Sequence, residues 1–172
     1  MPVEEQLLNN SYGVLRAGQD LRGGQILTIA SRKVTKLAFL IYKTGLPTGE
    51  ITYEIRKVSD DSLINSKILG DAGDLSETPA WLEVTFVIAE TIDEEVRILA
   101  HFEDGSSGNA VLYRVQNTDV KGGENWSYGD IGDWTGQATY DCAYIYTYEE
   151  AAAGLENKSA NMAAKLVAAG VM

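Results

Sequence analysis

From Gln25 to Tyr148 apolar and polar side chains alternate with a period of two, and no other feature restricts the fold as strongly. Successive side chains of a strand point to opposite faces, so this pattern predicts strands with one face in a core and one in water. Val34, Leu37, Phe39 and Ile41 open a run that ends at Gly45-Leu46-Pro47-Thr48-Gly49, before Ile51 to Arg56 resumes the alternation. The glycines and proline supply turn dihedrals, and the two runs together predict a hairpin. Ser59 to Thr78 is polar and reads as a long connection with one weak strand near Leu63-Ile64 and Ile68-Leu69. Further strands are expected at Trp81–Phe86, Glu95–Phe102 and Ala110–Val115, and a closing central strand at Thr139–Tyr148. Residues 119–137 mix five glycines with Trp126, Tyr128 and Trp134, which predicts a structured loop.

The two ends read differently. Residues 149–172 are rich in alanine, and Leu155, Ser159, Met162 and Leu166 recur at helical intervals beside Val167, so a helical tail is expected. Its apolar stripe is thin, and such a helix is marginal in water unless it docks on its own domain, a sister subunit or a larger assembly. Residues 1–24, with Leu7 and Leu8 among acids and asparagines, are expected to form an N-terminal arm. The chain therefore divides into an arm (1–24), a β-sandwich (25–148) and a tail (149–172). Some eight short strands with unequal connections suggest an all-β, two-sheet antiparallel jelly-roll sandwich.

Several landmarks also carry a resemblance: Gly24-Gln25 with Leu27-Thr28, Val34 to Leu37, Thr44 to Arg56, Pro79 to Phe86, the Gly122-Gly123 turn, Asp130 to Trp134, and Tyr140 to Tyr144. In this order they resemble small carbohydrate-binding-like jelly-roll modules, over roughly residues 24–146. Such modules occur in phage and viral structural proteins, in cell-surface proteins and appended to glycoside hydrolases. The resemblance implies a jelly roll and a binding or structural role.

Charge removes some functions. With 14 Lys+Arg against 25 Asp+Glu the formal charge is -11, so a phosphate backbone meets net repulsion and nucleic acid is not an expected partner. No stretch has the run of apolar residues that a membrane helix needs, so membrane insertion is not expected either. One cysteine, Cys142, and one histidine, His101, cannot build a disulfide or a Cys/His zinc site within one chain. Cys142 reads as a small buried residue, His101 as a surface or sheet-packing residue, and Trp81 as core. Gly105-Ser106-Ser107-Gly108 lacks the spacing of a nucleophile elbow, and no opposed pair of carboxylates stands out, so catalysis is not expected. Gly23-Gly24-Gln25 matches the tripeptide of peptide-release factors, but here it precedes a strand in an acidic chain and is better explained as the start of the sandwich.

Two ligand readings remain. Trp126, Tyr128 and Trp134 could present flat faces to a sugar ring, with Asp130 and Asn125 bonding its hydroxyls; the alternative is that they fold back to cap the sandwich. The surplus carboxylates read as a solvated surface, and no cofactor is required. The alternative they leave open is calcium held by Asp20, Asp130, Asp133 and Asp141. The first residues lack the basic and apolar regions of a signal peptide, so a particle released by lysis is the expected setting. The expectation is a non-catalytic virion structural, decoration or fibre-associated protein. It would assemble with copies of itself and with other particle subunits through Leu7, Leu8, Leu155, Met162, Leu166 and Val167. A carbohydrate-binding module that takes a surface glycan is the alternative.

Overall fold

The computed structural model describes residues 1–151, so the predicted helical tail, with Leu155, Met162, Leu166 and Val167, lies outside the described residues. Among the described residues there is no α-helix. Over these residues the fold is all-β and antiparallel, as the alternation predicts: twelve strands in one open sheet. They are β1 (Val3–Gln6), β2 (Ser11–Leu15), β3 (Arg22–Thr44), β4 (Glu50–Lys57), β5 (Leu63–Asp71) and β6 (Ala80–Thr85), then β7 (Thr91–His101), β8 (Ala110–Gln116), β9 (Asn125–Asp130), β10 (Asp133–Gln137), β11 (Asp141–Cys142) and β12 (Tyr144–Glu150).

β3 organises the rest. Its first half pairs with β7 on one side and β9 on the other; its second half pairs with β6 on one side and with β12 and then β8 on the other. Between the halves Ser31 takes a positive φ of 50°, its N–H donates to Asp93 Oδ1 at 2.9 Å, and the register with β7 shifts. The extra residue of such a bulge bends a strand, and here the bend folds the two halves toward each other. Phe39, from the second half, meets Tyr53 of β4 edge to face at 5.0 Å. Around that contact lie Leu27, Ile29, Val34, Leu37, Ile41, Ile55, Ile98, Tyr144 and Tyr146, all buried, so the arrangement is sandwich-like. The bulge also explains a break in parity: Leu27 and Ile29 are odd-numbered, yet Val34 is buried in the same core, and a second register shift, against β12 between Val34 and Lys36, restores odd numbers at Leu37, Phe39 and Ile41.

Four expectations need correction. Residues 1–24 are not a separate arm: β1 pairs with β12, and β2 pairs with β8, so both are strands of the body. The predicted hairpin around Gly45–Gly49 is a connection, because β4 pairs with β5 and β7 rather than with β3. Gly45 and Gly49 do adopt positive φ, 67° and 116°, but they turn the chain across to the other half. The one strand expected within 59–78 is present as β5, nine residues long with two register shifts against β4. The closing strand is interrupted at Ala143, where β11 leaves β8 and β12 joins β3. Trp81, expected in the core, is 37% exposed on β6, whose core-side residues are Leu82 and Val84.

Candidate functional site

On the face of β4, β7, β3, β9 and β10 turned away from the core, the ladder registers align side chains in rows. One row runs Thr52, His101, Arg22, Gly129, Trp134; the next runs Glu54, Leu99, Gly24, Ser127, Gly136. A third brings Arg56, Arg97, Ile26 and Asn125 side by side. Glycine and serine in the middle leave a low floor between charged side chains and the indole of Trp134.

The charges here are buried and paired. Glu54 receives Arg56 Nε at 2.5 Å and Arg22 Nε at 3.3 Å on one oxygen, and His101 Nδ1 stands 2.9 Å from the other. Burial alone would push the Glu54 carboxyl up, but the bonds from His101 and Arg56 and the charge of Arg22 outweigh it and hold the group at about 2. It is therefore an ion-pair partner at neutral pH, not a proton donor. Arg22 also bonds Asp130, and Arg97 Nη1 bonds Asp61 Oδ1 at 2.7 Å. Burial lowers the pKa of Arg97, while the charge of Asp61 acts in the opposite direction.

The tip of the hairpin β9–β10 and Trp134 reach across this face to Asp61 and Arg97. Gly132 donates its N–H to Asp61 Oδ2 at 3.3 Å, and the Arg97 guanidinium lies 4.6 Å from the centre of the Trp134 ring. Cation–π contact of this kind is worth more when desolvated. His101 Nε2 comes within 3.0 Å of Glu103 Oε1, but its direction is not that of a hydrogen bond.

The aromatic residues predicted as one platform are divided by the hairpin. Trp126 and Tyr128 point to the opposite side from Trp134, since Trp126 pairs with Gln137 and Trp134 with Gly129. Trp126 stacks on Tyr140 at 5.4 Å, lies 4.4 Å from Tyr128, and donates its indole N–H to Tyr113 Oη at 2.9 Å. Trp134, Asn125 and Asp130, by contrast, belong with the charged face.

The four aspartates considered for calcium are not brought together, and among the described residues no group of three or more His, Cys, Asp or Glu side chains is placed to hold a metal ion. Asp141 is buried, and its oxygens accept from Gln25 Nε2 at 2.6 Å and from the N–H groups of Val120 and Lys121 at 2.7 and 3.0 Å. Asp130 accepts from Arg22 and from the Ile131 N–H, and Asp133 is exposed. Asp20 sits beside the end of β2, where burial raises its pKa. Of the predicted assembly residues, Leu7 and Leu8 are exposed.

Every residue of Gly23-Gly24-Gln25 has a packing role. A Cβ on Gly23 would lie 2.0 Å from the Tyr113 hydroxyl, and one on Gly24 would lie 1.9 Å from the Ile98 carbonyl oxygen. Gln25 is fully buried, and its side-chain carbonyl accepts from the Cys142 N–H at 2.7 Å.

The sequence reading missed Arg22, Glu54, Arg56, Asp61, Arg97 and Ser127. One signal was present: Glu54 and Arg56, two apart in an alternating strand, share a face with each other. Nothing in the sequence ties that face to Arg22 or His101. No protein-family model matches this sequence, and no curated protein matches it.

Proposed function

We propose that the chain is a non-catalytic structural subunit of a virus or phage particle: a jelly-roll module that docks on copies of itself and on other particle subunits. One observation carries the assembly reading. Among the described residues the sheet is open, and its terminal strands β1 and β5 each carry an unpaired backbone edge. An unpaired edge is a template for another strand, and proteins that must stay single blunt it with proline, charge, brevity or bulges, of which β5 carries two. β5 has nine residues, no proline and a single lysine, Lys67, and it exposes Leu63 and Ile68. Beside it Val87 and Ile88 are 86% and 70% exposed, in a turn tied to β5 by Asn65 Nδ2 and the Ile88 carbonyl at 2.5 Å. At the other end Val3, Leu7 and Leu8 are exposed around β1. The resemblance to modules of phage and viral structural proteins supports the particle as the setting.

Sedimentation velocity over a wide range of protein concentration tests this reading. The expected result is reversible association, weakened in a Leu63→Lys, Ile68→Lys variant and in a Leu7→Asp, Leu8→Asp variant. A chain that stays monomeric at every concentration, with both variants sedimenting like the parent, removes the support.

A second reading, carbohydrate binding, is favoured by the placement of Trp134, Asn125 and Asp130 on one face. Retardation in a polysaccharide gel that disappears in Trp134→Ala supports it; migration equal to that in an inert gel counts against it.

A further inference from the structure

Among the described residues, four buried side-chain atoms have no hydrogen-bond partner in the protein: Arg97 Nε, His101 Nε2, Ser127 Oγ and Trp134 Nε1. All four belong to the rows of the charged face, although that face is a small part of the molecule. Arg97 is 7% exposed and Ser127 is completely buried. Such groups are rare in folded proteins, and a concentration of them in one place calls for a partner.

The chemistry of the partner follows from the atoms. His101 Nε2 already lies 3.0 Å from Glu103 Oε1; of the other three, the arginine and tryptophan N–H groups only donate and serine can donate, so the partner missing from these three is an acceptor. Arg97 Nη1 is engaged by Asp61, which leaves the edge formed by Nε and Nη2. That edge matches the spacing of the two oxygens of a carboxylate, which it binds in a planar, bidentate way. The same face already accommodates carboxylates of the chain itself, Asp130 on Arg22 and Asp61 on Arg97. Gly136, where an added Cβ would find its nearest neighbour 4.0 Å away, keeps the floor low; Trp134 supplies an apolar wall, and Asn125 at the rim offers an amide to hydroxyl groups.

We propose that this face binds a carboxylated sugar, a uronate residue, with its carboxylate on the Nε–Nη2 edge of Arg97 and its acceptors completing Trp134 Nε1 and Ser127 Oγ. The inference rests on the carbohydrate reading of Trp134 and adds the acid. Access requires the hairpin tip, tied to Arg22 and Asp61, to open, while β9 stays paired with β3 and keeps Ser127 in place. Gly129 and Gly132, with φ of 132° and 82°, flank the tip at which Asp130 ties the hairpin to Arg22. The closed hairpin therefore lowers the apparent affinity, and loosening that tie raises it.

The indole N–H signals of the three tryptophans in isotope-labelled full-length protein read this directly, with Trp134 assigned from Trp134→Phe. Glucuronate, N-acetylglutamate and glucose are titrated at equal ionic strength. Glucuronate is expected to shift the Trp134 signal saturably, with N-acetylglutamate weaker and glucose without effect. Arg97→Lys, which keeps the charge and loses the fork, is expected to weaken glucuronate about tenfold. Asp130→Asn is expected to tighten it about threefold, the scale of one partly exposed charge pair. The Trp126 signal, hydrogen-bonded to Tyr113, reports whether each variant is folded. If Arg97→Lys does not fold, Ser127→Ala takes its place, with weaker binding expected. The proposal is overturned if glucuronate gives no saturable shift, if N-acetylglutamate binds more tightly, or if affinity is unchanged in the variants. It is also overturned by an equal response to glucose, an outcome that leaves the neutral-sugar reading standing.

Discussion

The indole N–H of Trp126 donates to the hydroxyl of Tyr113 at 2.9 Å, and the phenol that accepts it lies in a slot made by two missing side chains. A Cβ on Gly23 would sit 2.0 Å from the Tyr113 oxygen, and one on Gly13 would sit 2.2 Å from its Cζ. Tyr113 is 1% exposed and hence has no free volume into which to retreat. Gly23→Ala is expected to destabilise the fold by about 1–3 kcal/mol, the usual cost of overpacking, and Gly13→Ala by a similar amount. Combining Gly23→Ala with Tyr113→Val should cost less than the sum of the two, because the clash is shared. Urea unfolding followed by tryptophan fluorescence measures both; an unchanged midpoint for Gly23→Ala contradicts the slot.

The strands that the alternation predicted and the partners they found differ in an instructive way. Ile51 to Arg56, Trp81 to Thr85 and Ala110 to Val115 are strands where the period of two put them, because alternation is a local property of the chain. Pairing is not local. The turn residues at Gly45–Gly49 would suit a hairpin, yet β4 lies on β7, and only the bulge at Ser31 and the resulting fold-over of β3 make that arrangement close-packed. The charged face illustrates the same limit: Glu54, Arg22 and His101 meet because of ladder registers, at sequence separations of 32 and 79 positions from Arg22. Cys142 was legible as a buried residue, since its neighbours alternate regularly; the division of Trp126 from Trp134 was not, since it depends on a hairpin register within a glycine-rich segment.

Cys142 is fully buried, and burial pushes its thiol well above the usual value, with the charge of Asp141 acting in the same direction. The thiolate is the reactive form, so the native protein is expected to resist a disulfide-exchange reagent at neutral pH. In urea above the unfolding midpoint one thiol per chain should react at once. Rapid labelling of the native protein would place Cys142 at the surface.

Gln25 and Asp141 form a buried pair on which the segment before β9 is hung. Gln25 Nε2 donates to Asp141 at 2.6 Å, the Cys142 N–H donates back to Gln25 Oε1 at 2.7 Å, and the other Asp141 oxygen takes the N–H groups of Val120 and Lys121. Asp141→Ala removes the acceptor of three hydrogen bonds, two of them from backbone N–H groups, and is expected to cost about 3 kcal/mol or more. Amide exchange distinguishes this from a general loss of stability: protection at Val120 and Lys121 should fall before that of β3. Retained protection at these two amides would mean that the segment is held by other contacts.

Glu54 gives the protein an acid-sensitive element whose sign can be stated. Its carboxyl is held at about 2 in the fold, against an ordinary value of 4.5. A group with a depressed folded pKa contributes stability that is fully present above the unfolded value and is lost as pH falls toward the folded one, here between about pH 4.5 and 2. Discounted for solvent screening, the contribution is about 2 kcal/mol. Glu54→Gln removes it and leaves Arg22 and Arg56 buried beside a neutral amide, so at neutral pH the variant should be less stable by about 3 kcal/mol. Between pH 4.5 and 2 the parent should lose stability more steeply than Glu54→Gln, and the two curves should converge at the acid end. Urea unfolding at closely spaced pH values decides the matter: parallel curves through that window would show that His101, Arg56 and Arg22 do not hold the carboxylate, and the ion-paired description of this face would fall with it.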